Sequence, residues 1–151
     1  MEFGAGTRER ILDSLLRDGP AGDRRLYDDI VAVGRSIGAQ VLRGDAEGAA
    51  ATFVDYWTGE GAWAALPPAR RQGIVARMPK VCAEFEALFA DTLPLEALRG
   101  LALPVRLLAG SRSPAPALRV VERLAQILPA ATLRRLEGLG HMGPLEAPQR
   151  V

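Results

Sequence analysis

The sequence predicts an α/β chain in which a helical region, residues 1–91, precedes a short strand–helix–strand unit, residues 92–151. Apolar side chains before residue 92 recur at the three- and four-residue spacing of amphipathic helices. Beyond it, two short apolar runs flank one helical pattern, as in parallel strands joined by a crossover helix. No further stretch has a strand pattern, and two strands are too few for a stable sheet. We therefore expect an incomplete sheet.

The first two helices are predicted from capping residues and glycine breaks. Thr7 is a suitable N-cap for a helix that reaches Asp18. Asp23 is expected to cap a second helix, whose apolar positions continue to Leu42 and which Gly44 ends. The Gly- and Pro-rich residues between these helices predict a turn.

The third and fourth helices are predicted from the same kinds of signal. Asp45 is expected to cap a helix that reaches about Trp57, and Gly59-Glu60-Gly61 should end it. Pro67-Pro68 then opens a long helical pattern. Pro79 lies inside that pattern and should kink or split the helix, because its ring blocks a backbone hydrogen bond.

The two predicted strands are short and apolar. The first covers Pro104 to Ala109 and suits a strand buried on both faces. A helical pattern follows and stops near Pro129, and the second strand covers Thr132 to Leu136. Residues 138–141 form a loop, after which Pro144 opens a last helix.

Composition excludes several classes of protein. The 151 residues suit one domain, and 19 basic against 18 acidic residues leave a net charge of +1, so a nucleic-acid partner is not expected. No run of eighteen apolar residues exists, so we expect no membrane span and a cytoplasmic protein. Cys82 is the sole cysteine, which excludes an intrachain disulfide. No cofactor or metal is expected, since phosphate loops and paired ligands are absent from the sequence.

The last third of the chain carries motifs found together in one enzyme family. Leu103-Pro-Val-Arg-Leu-Leu-Ala-Gly110 is followed by a helix, by Thr132-Leu-Arg-Arg-Leu136 and by Gly138-Leu-Gly-His-Met-Gly-Pro-Leu-Glu-Ala-Pro148. This succession resembles the end of an α/β-hydrolase. The resemblance implies that residues 1–91 are the helical lid and that residues 92–151 are the C-terminal βαβ part of the hydrolase core.

His141, the sole histidine of the chain, matches the catalytic base of that family by its position. A general base must titrate near neutral pH and reach a hydroxyl from an exposed turn. The alternative interpretation is an ordinary histidine of a surface loop. The sequence around it, a strand followed by a glycine-rich loop and a helix, favours the catalytic position.

The nucleophile of such enzymes is missing from the sequence. None of the four serines lies in Gly-x-Ser-x-Gly, the tight turn that exposes a nucleophilic hydroxyl. Ser113 stands where the family usually has its catalytic Asp, so the identity of the acid stays open; Ser111 or Ser113 is expected instead to cap the following helix. Cys82 lies mid-helix among apolar residues and is interpreted as an inert, buried thiol.

Three residues are predicted to bind substrate. If residues 1–91 are a lid, Trp57 and Trp63 would line an apolar pocket, and Met142 lies beside the histidine. Plain core packing is an equal alternative for both tryptophans. Arg70-Arg71 and Arg134-Arg135 are interpreted as solvated faces.

Three functional hypotheses follow. In the first, the chain is the lid and C-terminal part of an α/β-hydrolase; its intact relatives cleave ester-type bonds of a small-molecule substrate through Ser, His and an acid, and this chain alone is inactive. In the second, it is a non-catalytic interaction or regulatory protein with a degenerate hydrolase tail, whose exposed strand edge drives self-association or binds a partner chain. In the third, it is one half of a split enzyme.

Overall fold

The computed structural model describes residues 13–17, 19–92 and 95–151, a mixed α/β chain that is mostly helical. The helix predicted from Thr7 to Asp18 lies largely outside the described residues, which include only a π-helical turn, Asp13–Arg17. Six helices then precede the first strand in the described part of the chain. They are α1 (Ala21–Leu42), α2 (Ala46–Thr58), α3 (Ala62–Ala65), α4 (Pro68–Val75), α5 (Met78–Ala90) and α6 (Leu95–Arg99).

The predicted capping residues have different outcomes. The Asp45 side chain accepts a hydrogen bond from the backbone N–H of Gly48 (2.8 Å) and caps α2 as predicted. The prediction that Asp23 caps α1 is wrong. The helix begins at Ala21, after Pro20, and the Asp23 carboxylate accepts a hydrogen bond from Arg119 instead of capping the helix. Asp23 therefore lies inside the first turn, where its carboxylate is buried.

The long helix predicted from Pro67-Pro68 is split, which confirms the effect expected of Pro79. The chain leaves the helical ladder after Val75 and resumes at Met78. Pro79 occupies the first turn of α5, where a missing N–H removes no intrahelical bond. The short helices α3 and α6 were not predicted from the sequence.

The sheet has two parallel strands, β1 (Val105–Gly110) and β2 (Ala131–Leu136), joined by α7 (Ala115–Ile127). Their register pairs Val105 with Ala131 and Gly110 with Leu136. The prediction that the first strand is buried on both faces is wrong. Partly buried and exposed side chains alternate along β1, so one face of the strand is covered and the other is open.

The main core lies among the helices. Its fully buried members come from the π-helical turn and from α1, α2 and α5, and they are Leu15, Leu16, Ile30, Ile37, Ala49, Ala50, Met78 and Phe85. Val120, Leu124 and Ile127 of α7 pack against this core, so the crossover helix of the sheet also serves the helical region. The division at residue 91 stays a prediction.

Two further features complete the fold. The last predicted helix is short, α8 (Gly143–Glu146), and a 3-10 turn, Pro148–Arg150, follows it. None of the helices in the described ranges is long and apolar enough to cross a lipid bilayer.

Candidate functional site

The loop that carries His141 is fastened to the end of the neighbouring strand. The Ser111 hydroxyl accepts a hydrogen bond from the backbone N–H of Gly138 (2.9 Å), and the N–H of Arg112 donates to the carbonyl of Leu139 (2.9 Å). Gly138 has a φ of +73°, a conformation that glycine adopts without strain. The ends of β1 and β2 are therefore joined, and this joint positions the histidine.

The prediction that Ser111 or Ser113 caps α7 is wrong. The residue before α7 is Pro114, and no side chain caps this helix. Ser111 instead binds the loop of residues 138–141, which we call the histidine loop. Parallel strands end at the same edge of the sheet, and this brings the loops that follow them together. Ser113 is 9% exposed and lines a small cavity of about 130 Å³ together with His141.

The ring of His141 lies against the indole of Trp57. The two ring centroids are 4.3 Å apart and the planes are inclined by 33°, an arrangement that covers one face of the imidazole. Burial lowers the pKa of His141 below its usual 6.5, because the charged form loses hydration. Within the described residues, the imidazole makes no hydrogen bond or ion pair.

Trp57 is held by aromatic neighbours on the same helix. The Tyr56 ring meets it edge-on with centroids 5.0 Å apart, and Phe53, one helical turn earlier, lies at 6.4 Å. The Tyr56 hydroxyl donates a hydrogen bond to Asp29 of α1 (3.2 Å), which ties this aromatic cluster to the core helix. The position of Trp57 is thus determined by its packing within α2 and against α1.

Two adjoining apolar grooves meet beside the histidine. We call the first, of about 230 Å³, the histidine groove, since His141 lines it with Phe85 and Leu88 of α5. We call the second, of about 820 Å³, the arginine groove, since Arg70 and Arg77 line it. Pockets that bind small molecules, or portions of such pockets, have volumes of this size. The residues that line both grooves are Phe53, Trp57, Val81 and Met142.

The predicted site residues are brought together only in part. His141, Trp57 and Met142 share the histidine groove. Trp63 lines neither groove; the guanidinium of Arg71 lies 5.5 Å from its ring centroid, and Asp55 accepts a hydrogen bond from its backbone N–H (2.8 Å). The substrate-binding roles of Trp57, Trp63 and Met142 stay predictions.

Sequence reasoning missed the contributions of α4 and α5. Val81, Phe85 and Leu88 belong to the apolar positions of the predicted long helix, and their helical spacing does not distinguish a core from a groove wall. Arg70 is exposed, as the interpretation as a solvated face predicts, and it also lines the arginine groove. Arg70 and Arg77 are seven residues apart, about two helical turns, and this spacing could have indicated that both lie on one face of a helix.

An activated nucleophile is not evident in the part of the chain that the structure describes. Ser36 is exposed on α1, far along the chain from the histidine loop. Burial, and then the nearby charge of Glu86, raise the pKa of the Cys82 thiol, so that the thiolate is disfavoured. Among the described residues, no three metal-ligating side chains form a cluster. The site as described offers a neutral imidazole beside an apolar groove.

Comparison with known proteins adds no family assignment. No protein-family model matches the chain, and no curated protein is significantly similar to it. The relationship to α/β-hydrolases therefore stays a prediction. It depends on the motifs of residues 103–148.

Proposed function

We propose that this chain forms the lid and the histidine loop of an α/β-hydrolase-type active site that cleaves ester-type bonds. One observation carries the proposal. Trp57, from the predicted lid, packs against the ring of His141 from the predicted catalytic loop, and both side chains line the same apolar groove. A substrate in this groove would lie between an apolar wall and a base, as acyl-bond hydrolysis requires.

The role of His141 in this proposal is to move a proton. In a complete site a serine would attack the acyl carbon, the imidazole would accept the serine proton, and the same proton would pass to the leaving group. The lowered pKa favours the neutral imidazole, which is the form that accepts a proton. The surrounding groove would exclude water from the leaving group.

The nucleophile must come from outside this sequence, because no serine of the chain stands in Gly-x-Ser-x-Gly. The purified chain should therefore hydrolyse p-nitrophenyl butyrate no faster than buffer does, and a fluorophosphonate probe should not label it. Turnover by the pure chain that His141→Ala abolishes would show that the chain has its own nucleophile, and would contradict this proposal.

The positive test requires the missing half. We expect a polypeptide with Gly-x-Ser-x-Gly to be encoded directly upstream, in frame, frameshifted or as a separate chain. Co-expression of the two should give esterase activity that His141→Ala reduces by a factor of about 10³ or more, the scale of losing a catalytic base. A stable, folded complex without such activity would disprove the proposal.

A second candidate function is favoured by the sheet. Within the described ranges β1 and β2 pair only with each other, and Leu108 on the open face of β1 is 37% exposed. Unpaired strand edges bind other strands, so the chain could act as a non-catalytic interaction or regulatory protein. Light scattering over a concentration series tests this candidate: a monomer at all concentrations would contradict self-association.

Self-association through the free edge of β1 also predicts the effect of a proline in that strand. The N–H of Val105 donates to Ala130 (3.1 Å), toward β2. Since N–H directions alternate along a strand, that of Arg106 points to the free edge. Arg106→Pro should therefore abolish self-association with little loss of stability, whereas the control Val105→Pro should destabilise the chain.

A further inference from the structure

One wall of the arginine groove carries a stripe of four residues that includes both arginines. Arg70, Gly73, Ile74 and Arg77 all line it, at spacings of three, one and three residues. These spacings place the side chains along one face of α4 and its continuation. The stripe therefore has a guanidinium at each end and an apolar centre.

The facing walls are mainly apolar. Val54 and Trp57 of α2 form one wall, and Met142 and Leu145 of the histidine loop and α8 form another. Leu145 lines the groove and is 76% exposed. The groove thus offers an apolar surface long enough for a hydrocarbon or aromatic body.

The charge of the arginine groove is positive. Glu146 is the single acidic residue that lines it, against Arg70 and Arg77. Neither arginine makes a side-chain hydrogen bond or an ion pair within the described part of the chain. In the adjoining histidine groove, Glu84 is engaged with Lys80 (3.3 Å). An anionic group would find two uncommitted guanidinium groups here.

We infer that the arginine groove binds an amphipathic carboxylate. Its apolar body lies between Trp57 and Ile74, its carboxylate pairs with one of the two guanidinium groups, that of Arg70 or that of Arg77, and its other end extends toward His141 through the residues common to both grooves. The inference deepens the proposed function, on which the identity of this ligand as a substrate rests. The substrate class is then an ester whose acyl or alcohol part ends in a carboxylate.

The charge of the ligand is tested with three matched probes: 4-phenylbutyrate, 4-phenylbutan-1-ol and 4-phenylbutylamine. Calorimetric or tryptophan-fluorescence titration of the full chain should show the carboxylate binding about fivefold tighter than the alcohol, the scale expected for one exposed ion pair. The amine should bind most weakly. Equal affinity for all three probes, or tightest binding of the amine, would overturn the inference.

Variants of Arg70 and Arg77 test whether these two residues cause the preference for the carboxylate. Arg70→Gln/Arg77→Gln should remove the advantage of the carboxylate and leave the affinity for the alcohol within a factor of two. The matched control is Arg24→Gln/Arg35→Gln, which removes two exposed arginines of α1 that line neither groove. The control should keep the advantage; loss of it in both double variants would show a general charge effect and refute the inference.

The groove itself is tested by filling it. A Cβ at Gly73 would meet no other atom within 4 Å, so Gly73→Leu should fold and should gain helix propensity. Its side chain would occupy the groove and weaken both the carboxylate and the alcohol about tenfold or more. Unchanged binding in a folded Gly73→Leu chain would place the ligand elsewhere.

Failure of this inference is distinguishable from failure of the proposed function. The probe titrations need no turnover and no second polypeptide. Carboxylate-selective binding in a chain that never supports esterase activity would sustain the binding site and remove the hydrolase. Esterase activity in a complex that shows no preference for the carboxylate would support the hydrolase and refute the carboxylate site.

Discussion

At the scale of single residues, the contact between Trp57 and His141 joins the aromatic residues of α2 to the histidine loop. The sequence indicates the importance of His141 through its loop, but the loop does not specify what covers the ring. The indole covers one face of the imidazole at a centroid distance of 4.3 Å, and partial burial lowers the pKa of the ring. The surroundings of this histidine therefore depend on a residue of α2, far earlier in the chain.

The first prediction concerns that pKa. His141 is the sole histidine, so an NMR titration of the untagged chain follows one imidazole. We expect a pKa below 6.5 in the native chain and a rise toward 6.5 in Trp57→Leu, because the ring regains hydration. Trp63→Leu is the control and should leave the value unchanged. A pKa that stays low without the indole would contradict this account.

The second prediction concerns Gly110 at the end of β1. A Cβ there would overlap the carbonyl oxygens of Leu139 and Gly140, which belong to the backbone of the histidine loop. Gly110→Ala should cost about 2 kcal/mol in the free energy of unfolding and should shift the His141 resonances. Gly140→Ala, where a Cβ meets no atom within 4 Å, is the matched control and should change both measurements little.

At the scale of elements, the close approach of α1 and α5 depends on one glycine. A Cβ at Gly34 would come within 2.7 Å of the Phe89 ring and 3.1 Å of Phe85, whereas a Cβ at Gly38 meets no atom within 4 Å. The third prediction compares the two positions in urea unfolding. Gly34→Ala should destabilise by about 1–3 kcal/mol through overpacking, and Gly38→Ala should stabilise by about 0.5–1 kcal/mol through helix propensity. Similar signs at both positions would refute the packing of α1 on α5.

The fourth prediction concerns the ion pair between α1 and α7. Arg119 donates to Asp23 (2.7 Å), and the aspartate side chain is 8% exposed. Arg119→Met should cost about 3 kcal/mol, because it leaves a buried carboxylate without its partner. The control is Arg99→Met, whose partner Glu96 is 77% exposed, and it should cost about 0.5 kcal/mol or less. Equal costs would show that the buried pair does not join the two helices.

Elements were predictable where the cue is local. Asp45 caps α2 as expected because the cap needs only the N–H of Gly48, three residues on. The Asp23 cap failed because the carboxylate is held instead by Arg119, a residue 96 positions later in the chain. Capping rules consider only neighbouring residues, whereas a cation far along the chain can hold the carboxylate that would otherwise cap the helix.

At the scale of the whole molecule, His141 should link stability to pH. Its folded pKa lies below 6.5, so between these values the unfolded chain binds more protons and protonation favours unfolding. As pH falls from about 6.5 through the folded pKa, the free energy of unfolding should therefore decrease. Urea unfolding of the native chain and of His141→Gln checks this fifth prediction: the two curves should run parallel above pH 7 and converge or cross below 6.5. Parallel curves throughout would contradict it.

The sequence by itself determined the mixed α/β class, most helix and strand limits, the position of the histidine loop and the lack of a Gly-x-Ser-x-Gly turn. These features depend on the order and spacing of residues within one segment. Only the tertiary structure decided that Trp57 covers His141, that Trp63 does not, and that Arg70 and Arg77 border the neighbouring groove. Periodicity shows that a helix has an apolar face, but the packing of all the helices decides whether that face meets the core, another side chain or a ligand.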